Sequence, residues 1–171
     1  MGRTQLPFCA CASAVVYSRA ASTIVRTYKD LGEVRLGAVM AAHIDKAIDP
    51  QWPIDAVTYI PATKAAQRRR GFDHAQILAQ SLANLRGVPC LSTLEPPHTQ
   101  DQRALGRRAR IQNLEGRLKA KPQTAAIARL APRILLIDDV YTTGSTLMDA
   151  CDALHAAGFA EIRCATFARV Y

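Results

Sequence analysis

Two acids and a loop of small hydroxyl residues stand side by side late in the chain. Asp138 and Asp139 follow the apolar run Ile134-Leu135-Leu136-Ile137, and Thr142, Thr143, Gly144, Ser145 and Thr146 come next. Adjacent carboxylates at the end of a buried segment are costly unless something meets their charge. The loop gathers hydroxyls and backbone N–H groups that can surround a dianion, and Gly144 lets the backbone approach a ligand closely. Leu147, Ala150, Cys151 and Leu154 then recur at i, i+3, i+4 and i+7, which predicts a helix beginning near Gly144. A strand, a polar turn and a helix N-terminus in that order bring unpaired N–H groups and the positive end of a dipole to one anion-binding spot.

Basic residues supply the second chemistry. Lys64 and the run Arg68-Arg69-Arg70 follow a turn at Pro61-Ala62-Thr63, and the segment 95–123 carries Arg103, Arg107, Arg108, Arg110, Arg117, Lys119 and Lys121 against Glu95, Asp101 and Glu115 alone. The formal net charge of +8 favours anionic ligands, and arginine suits bidentate phosphate contacts. A 49% hydrophobic and 21% charged composition excludes a disordered chain. Two catalytic classes find no support. His43, His74, His98 and His155 are scattered without ligand spacing, and no Ser-His-Asp or Cys-His signature occurs. Of the four, His74 lies beside the basic turn and merits a test. The cysteines at 9, 11, 90, 151 and 164 are odd in number and lie mostly within predicted elements, which argues against a disulfide framework. Cys9-x-Cys11 has the wrong spacing for a zinc knuckle, so no metal site is expected.

The elements that must position these groups read as an alternation. Helices are expected over 18–30, ending near Gly32, and over 33–48, where Val34, Gly37, Ala38, Ala41, Ile44 and Ile48 share a face. Ala56–Ile60 reads as the first core strand. A helix follows Arg70, with Ala75, Leu78, Ala79 and Leu82 in register and a C-cap at Gly87 and Val88 before Pro89. Cys90-Leu91 reads as a short strand, 95–123 as a loop with a helical piece near 101–112, Ile134–Asp138 as the central strand and Glu161–Arg169 as the last. Strands alternating with helices predict a mainly parallel sheet with right-handed crossovers. Residues 1–16 are expected to be poorly ordered, and residues 17–171 to form one domain. No stretch approaches the length of a membrane span.

The run ILLIDDVYTTGST resembles the phosphoribosyl-diphosphate (PRPP) motif of type I phosphoribosyltransferases: a hydrophobic strand, two acids and a Thr-Thr-Gly-x-Thr-like loop. Arg70-Gly71-Phe72-Asp73-His74-Ala75 before a helix, Gln102 with the basic run after it, and Asn113, in that order before the loop, are similar to the ComF (competence) branch of those proteins. The resemblance spans about residues 17–171. It implies an α/β three-layer sandwich with a mainly parallel, Rossmann-like central sheet and an N-terminal helical hood over about 17–48. It also implies that Asp138 and Asp139 accept the ribose hydroxyls and that Thr142 to Thr146 hold the 5′-phosphate. The turn at Ala62 and Thr63 would present backbone N–H groups to the pyrophosphate, with Lys64 and Arg70 as nearby charges, and Arg103, Arg107 and Arg108 would belong to a lid. Mg²⁺ would accompany PRPP, the acids helping to hold it.

The implied reaction displaces pyrophosphate from C1 by a ring nitrogen of a base through an oxocarbenium-like state, without an enzyme nucleophile. Three readings stay open: a transferase, a non-catalytic sensor of PRPP or nucleoside monophosphate, and a competence factor that handles single-stranded DNA through protein partners. Sparse aromatics, 6%, weaken a base-stacking surface. Homodimerisation stands as an alternative. ComF proteins often carry a four-cysteine zinc module, of which Cys9 and Cys11 would be a remnant. Arg3 and the run after it faintly imitate a secretory signal, but the run is short and PRPP is intracellular, so a cytoplasmic location is expected.

Overall fold

The computed structural model describes residues 7–97 and 118–171. Its elements are β1 (Ala10–Val16), α1 (Arg19–Asp30), α2 (Arg35–Ala47), β2 (Ala56–Tyr59), α3 (Lys64–Arg70), α4 (His74–Arg86), α5 (Thr124–Leu130), β3 (Arg133–Tyr141), α6 (Ser145–Ala156) and β4 (Glu161–Arg169). Among the described residues the strands form one four-stranded sheet in the order β1-β4-β3-β2, and every pairing is parallel. The α/β sandwich expected from the alternation is therefore present.

Its two faces are written into β3. Leu135 and Ile137 pack with α1, α2 and α4 through Val25, Tyr28, Met40, Ile44, Leu78 and Leu82. Ile134 and Leu136 pack on the other face with Ala128 of α5 and Leu147, Cys151 and Leu154 of α6. A strand covered on both faces needs an unbroken apolar run. Each of these four side chains contributes about 2 kcal/mol by leaving water.

Three expectations need correction. Residues 10–16 are not outside the fold: Ala10–Val16 is an edge strand in register with Arg163–Arg169. Its small residues, with only two β-branched valines at the end, hide the strand from a propensity reading. The N-terminal helices do not stand apart as a hood; α1 and α2 are built into one layer of the sandwich beside α4. The C-terminal end of α1 reaches the carboxyl edge of the sheet, where Lys29 pairs with Asp139. The central strand does not stop at Asp138 but continues to Tyr141. In addition, the residue pattern predicts no helix at α3 or α5. Both are seven-residue helices too short for periodicity to show.

The 90–91 strand is reduced to a single parallel bridge between Val57 and Cys90. The helix expected near 101–112 and the lid residues Arg103, Arg107 and Arg108, with Gln102 and Asn113, lie outside the described residues. No helix among the described residues is long and apolar enough to cross a membrane.

Candidate functional site

The site lies at the carboxyl edge of the sheet, where β3 changes character. Up to Ile137, odd residues face the α1–α2–α4 layer and even ones face α6. Beyond the two acids this is reversed: Val140 packs toward the first layer and Tyr141 toward the second. The change of packing partner falls at Asp138 and Asp139, while the pairing with β4 keeps one register from Arg133↔Glu161 to Tyr141↔Arg169. Asp138 Oδ1 accepts the Asp139 N–H at 2.9 Å. Burial, and then the charge of Asp139, push the Asp138 carboxyl well above the usual carboxylate range, while Lys29 pulls the other way.

Asp139 is 3% exposed. Its Oδ2 forms an ion pair with the Lys29 ammonium. A carboxylate oxygen in one such contact keeps a second lone pair with which to accept. Lys29 was absent from the sequence reading. A signal did exist: Ala21, Val25 and Tyr28 are the buried face of α1, and Lys29 stands four residues after Val25, a cation on an apolar stripe.

The loop behaves as its composition suggests. Gly144 takes φ +80° and caps α6, a helix with no side-chain cap and no acid in its first turn. The Tyr141 ring lies so close that a Cβ at Gly144 would meet the hydroxyl oxygen at 2.6 Å. Thr142, Thr143, Ser145 and Thr146 are exposed, with Thr143 Oγ1 3.1 Å from Ser145 Oγ. Arg169 stacks on Tyr141 with its guanidinium 4.6 Å from the ring centre, so β4 braces the strand end.

The turn after β2 differs from expectation. The Ala62 N–H is not free for a ligand but donates to Asp73 Oδ2 at 3.0 Å. Gln67 Nε2 donates to the same oxygen at 3.0 Å and to the Ala62 carbonyl at 2.7 Å. Asp73 Oδ1 caps α4 by accepting from Ala75 N–H at 3.0 Å. One buried carboxylate thus closes the turn and starts the helix, two roles the sequence reading did not assign to Asp73. Thr63 Oγ1 is likewise engaged, accepting from Ala66 N–H at 3.1 Å.

Lys64 and Arg70 are at opposite ends of α3, about 9 Å apart along its axis. Lys64 is exposed. Arg70 turns toward α1, 3.2 Å from Asp30 Oδ1 and 3.4 Å from His74 Nδ1. His74 is buried edge-on against Tyr28, and burial lowers its pKa. It is a core histidine beside the site. Phe72 is half-buried, whereas Tyr59 and Phe167 are core. Lys29, Asp30, Leu31, Gly32, Arg69, Arg70 and Phe72 line a cleft of about 520 Å³. Among the described residues no three His, Cys, Asp or Glu side chains group to hold a metal.

Residues 68–170 match the family model described as a phosphoribosyl transferase domain. The chain is 32% identical over 111 residues to Competence protein F of Haemophilus influenzae, covering 64% of this chain and 48% of that protein. It thus spans about half the length of the curated relative it matches. Two solved structures are similar at 20% identity and TM-score 0.49: glutamine phosphoribosylpyrophosphate amidotransferase from B. subtilis with ADP and GMP, and an allosteric regulatory enzyme of purine biosynthesis. Each covers 78% of this chain, which covers 25% and 24% of theirs respectively. With more than half of its residues inside the family model, acids and loop included, the chain belongs to the phosphoribosyl transferase domain family.

Proposed function

We propose that this chain binds PRPP and transfers its 5-phosphoribosyl group to a ring nitrogen of a nucleobase-like acceptor. One observation carries the reading. Adjacent acids, Asp139 buried and Asp138 half-buried, lie near the end of β3 ahead of the N-terminus of α6, in a chain of the phosphoribosyl transferase domain family. The amides and hydroxyls from Thr142 to Thr146 receive the 5′-phosphate dianion. Asp138 and Asp139 accept the ribose hydroxyls. Thr63, Lys64 and Arg70 remain as candidates for the diphosphate, without the Ala62 amide. The C1–O bond to diphosphate breaks as the acceptor nitrogen bonds to C1. The protein contributes by fixing both partners and by placing charge around the oxocarbenium-like state.

Mg²⁺ fits this donor set. Two adjacent carboxylates are too few for an all-protein cage, but they suit an ion that keeps water and takes substrate oxygens. Asp138 and Asp139 would hold it, and the ion, when bound, would draw charge from the leaving diphosphate.

The test is release of pyrophosphate from PRPP with Mg²⁺ across a panel of nucleobases. Release with one base supports transfer. Tight binding without turnover leaves a sensor of PRPP or nucleoside monophosphate. The absence of any thermal shift with PRPP or nucleoside monophosphates removes both. The relative's name, Competence protein F, favours a further reading, in which a cytoplasmic chain of this kind assists the handling of single-stranded DNA through protein partners. Retention of single-stranded DNA at low salt that is lost at moderate salt would show charge-driven binding of that sort.

A further inference from the structure

Lys29 faces two ways. Its ammonium covers Asp139 Oδ2, and its side chain lines the cleft with Arg69 and Arg70. That cleft holds three cations, Lys29, Arg69 and Arg70, against the single carboxylate of Asp30. Asp30 is already bound to Arg70. The cover is not sealed in: the Lys29 side chain is 26% exposed. Asp139 itself is only 3% exposed, so a ribose hydroxyl needs a covering group to move before it can reach the carboxylate.

We propose that Lys29 is a displaceable cover that sets the preference of the site for diphosphate-bearing ligands. In the free protein it neutralises Asp139. When ribose hydroxyls take Asp139, the ammonium passes to the diphosphate and joins Arg69 and Arg70 in the cleft. A lysine suits this exchange, because it carries a compact charge with three donors on a flexible stem. Since its side chain already borders the cleft, the move needs only rotation about side-chain bonds. The inference rests on the ribose assignment above and assigns Lys29, from α1, to the same site.

The two roles of Lys29 predict effects of opposite sign. In Lys29→Met, ribose 5-phosphate binds several-fold more tightly, because its hydroxyls no longer compete with an ammonium. PRPP binds about tenfold or more weakly, because a charged partner of the diphosphate is gone. Lys29→Arg keeps the wild-type preference for PRPP. The measurement is calorimetric titration of the full chain with ribose 5-phosphate, PRPP and inorganic pyrophosphate, in the presence of Mg²⁺. Lys29→Gln, which keeps length and a donor but no charge, serves if Lys29→Met does not fold. An unchanged ratio of the two affinities overturns the proposal. So does weaker binding of ribose 5-phosphate by a folded variant, because Lys29 would then merely orient Asp139. If the wild-type chain binds neither ligand, the ribose assignment itself fails, and this shows before any variant is compared.

Discussion

The two edges of the sheet treat their charges in opposite ways. At the amino edge, Asp55 accepts the Arg133 backbone N–H and Nε at 3.0 Å each and a second guanidinium nitrogen at 2.5 Å. Nearby, Arg163 pairs with Glu161 at 2.7 Å and lies over Trp52. Hydrogen bonds from Arg133 hold the Asp55 carboxyl below its ordinary value. At the carboxyl edge, burial and a like charge push Asp138 upward, and Asp139 beside it pairs with Lys29. Acids that find partners within the chain serve the fold. Acids held close together, with one pKa pushed up, mark a candidate site. The difference supports the proposed placement of the ligand at the carboxyl edge.

The largest break in this comparison comes from removing the carboxyl-edge acids. Asp138→Ala with Asp139→Ala should abolish the thermal stabilisation given by PRPP or nucleoside monophosphate with Mg²⁺, a loss of at least about 100-fold in affinity for two charge-assisted contacts. The variant should still fold. A double variant that keeps the ligand-induced shift would move the ribose contacts elsewhere.

Next in size is the glycine of the loop, set against a glycine away from it. Gly144 and Gly87 both have positive φ, +80° and +65°. A Cβ at Gly144 would strike Tyr141, whereas one at Gly87 meets nothing within 4 Å. Gly87→Ala should cost about 1 kcal/mol from backbone strain alone. Gly144→Ala should cost about 2–3 kcal/mol and weaken ligand binding as well, because the Tyr141 ring or the loop must shift. Denaturant melts of the two variants, with and without ligand, test both halves.

How far the sequence could be read follows from the range of each signal. The acids, the loop and the start of α6 were legible because a single stretch of chain contains the strand, the turn and the helix. The parallel sheet followed from the apolar run 134–137 and the alternation around it. What escaped depends on pairs distant in sequence. Lys29 meets Asp139 across 110 positions. Asp73 reaches back to the Ala62 amide, a bond that a backbone-donor reading of the turn cannot foresee. β1 is a strand because the β4 edge is there to pair with it. The change of packing partner after the acids is equally invisible, since the residue pattern continues smoothly through Val140.

A smaller effect comes from pH. The folded pKa of Asp138 exceeds its unfolded value, so the native state holds this proton more tightly. Stability from this group is fully present below the ordinary aspartate range of about 4. It falls as pH rises from there through the folded pKa, where the native chain must carry a buried charge. Asp138→Asn removes the titration. It should flatten this part of the stability–pH curve and raise the melting temperature at neutral pH in the absence of ligand. A variant with the wild-type slope would mean that the carboxyl is solvated.

The smallest expected effect sharpens the contrast from the other edge. The pKa of Asp55 is lowered by Arg133, so the sign is reversed: its contribution is present above about pH 4 and is lost as pH falls through the folded value. The pair is substantially solvent-exposed, with side-chain exposures of 44% for Arg133 and 21% for Asp55, and water screens it. Asp55→Asn should therefore lower the melting temperature at neutral pH by no more than about 3 °C. It should leave PRPP binding untouched, because Asp55 sits at the opposite end of the strands from the ligand loop. Melts of Asp55→Asn and Asp138→Asn recorded side by side should move in opposite directions at neutral pH. A fall in both would mean that the carboxyl edge is as internally satisfied as the amino edge, and the basis for placing the ligand there would be gone.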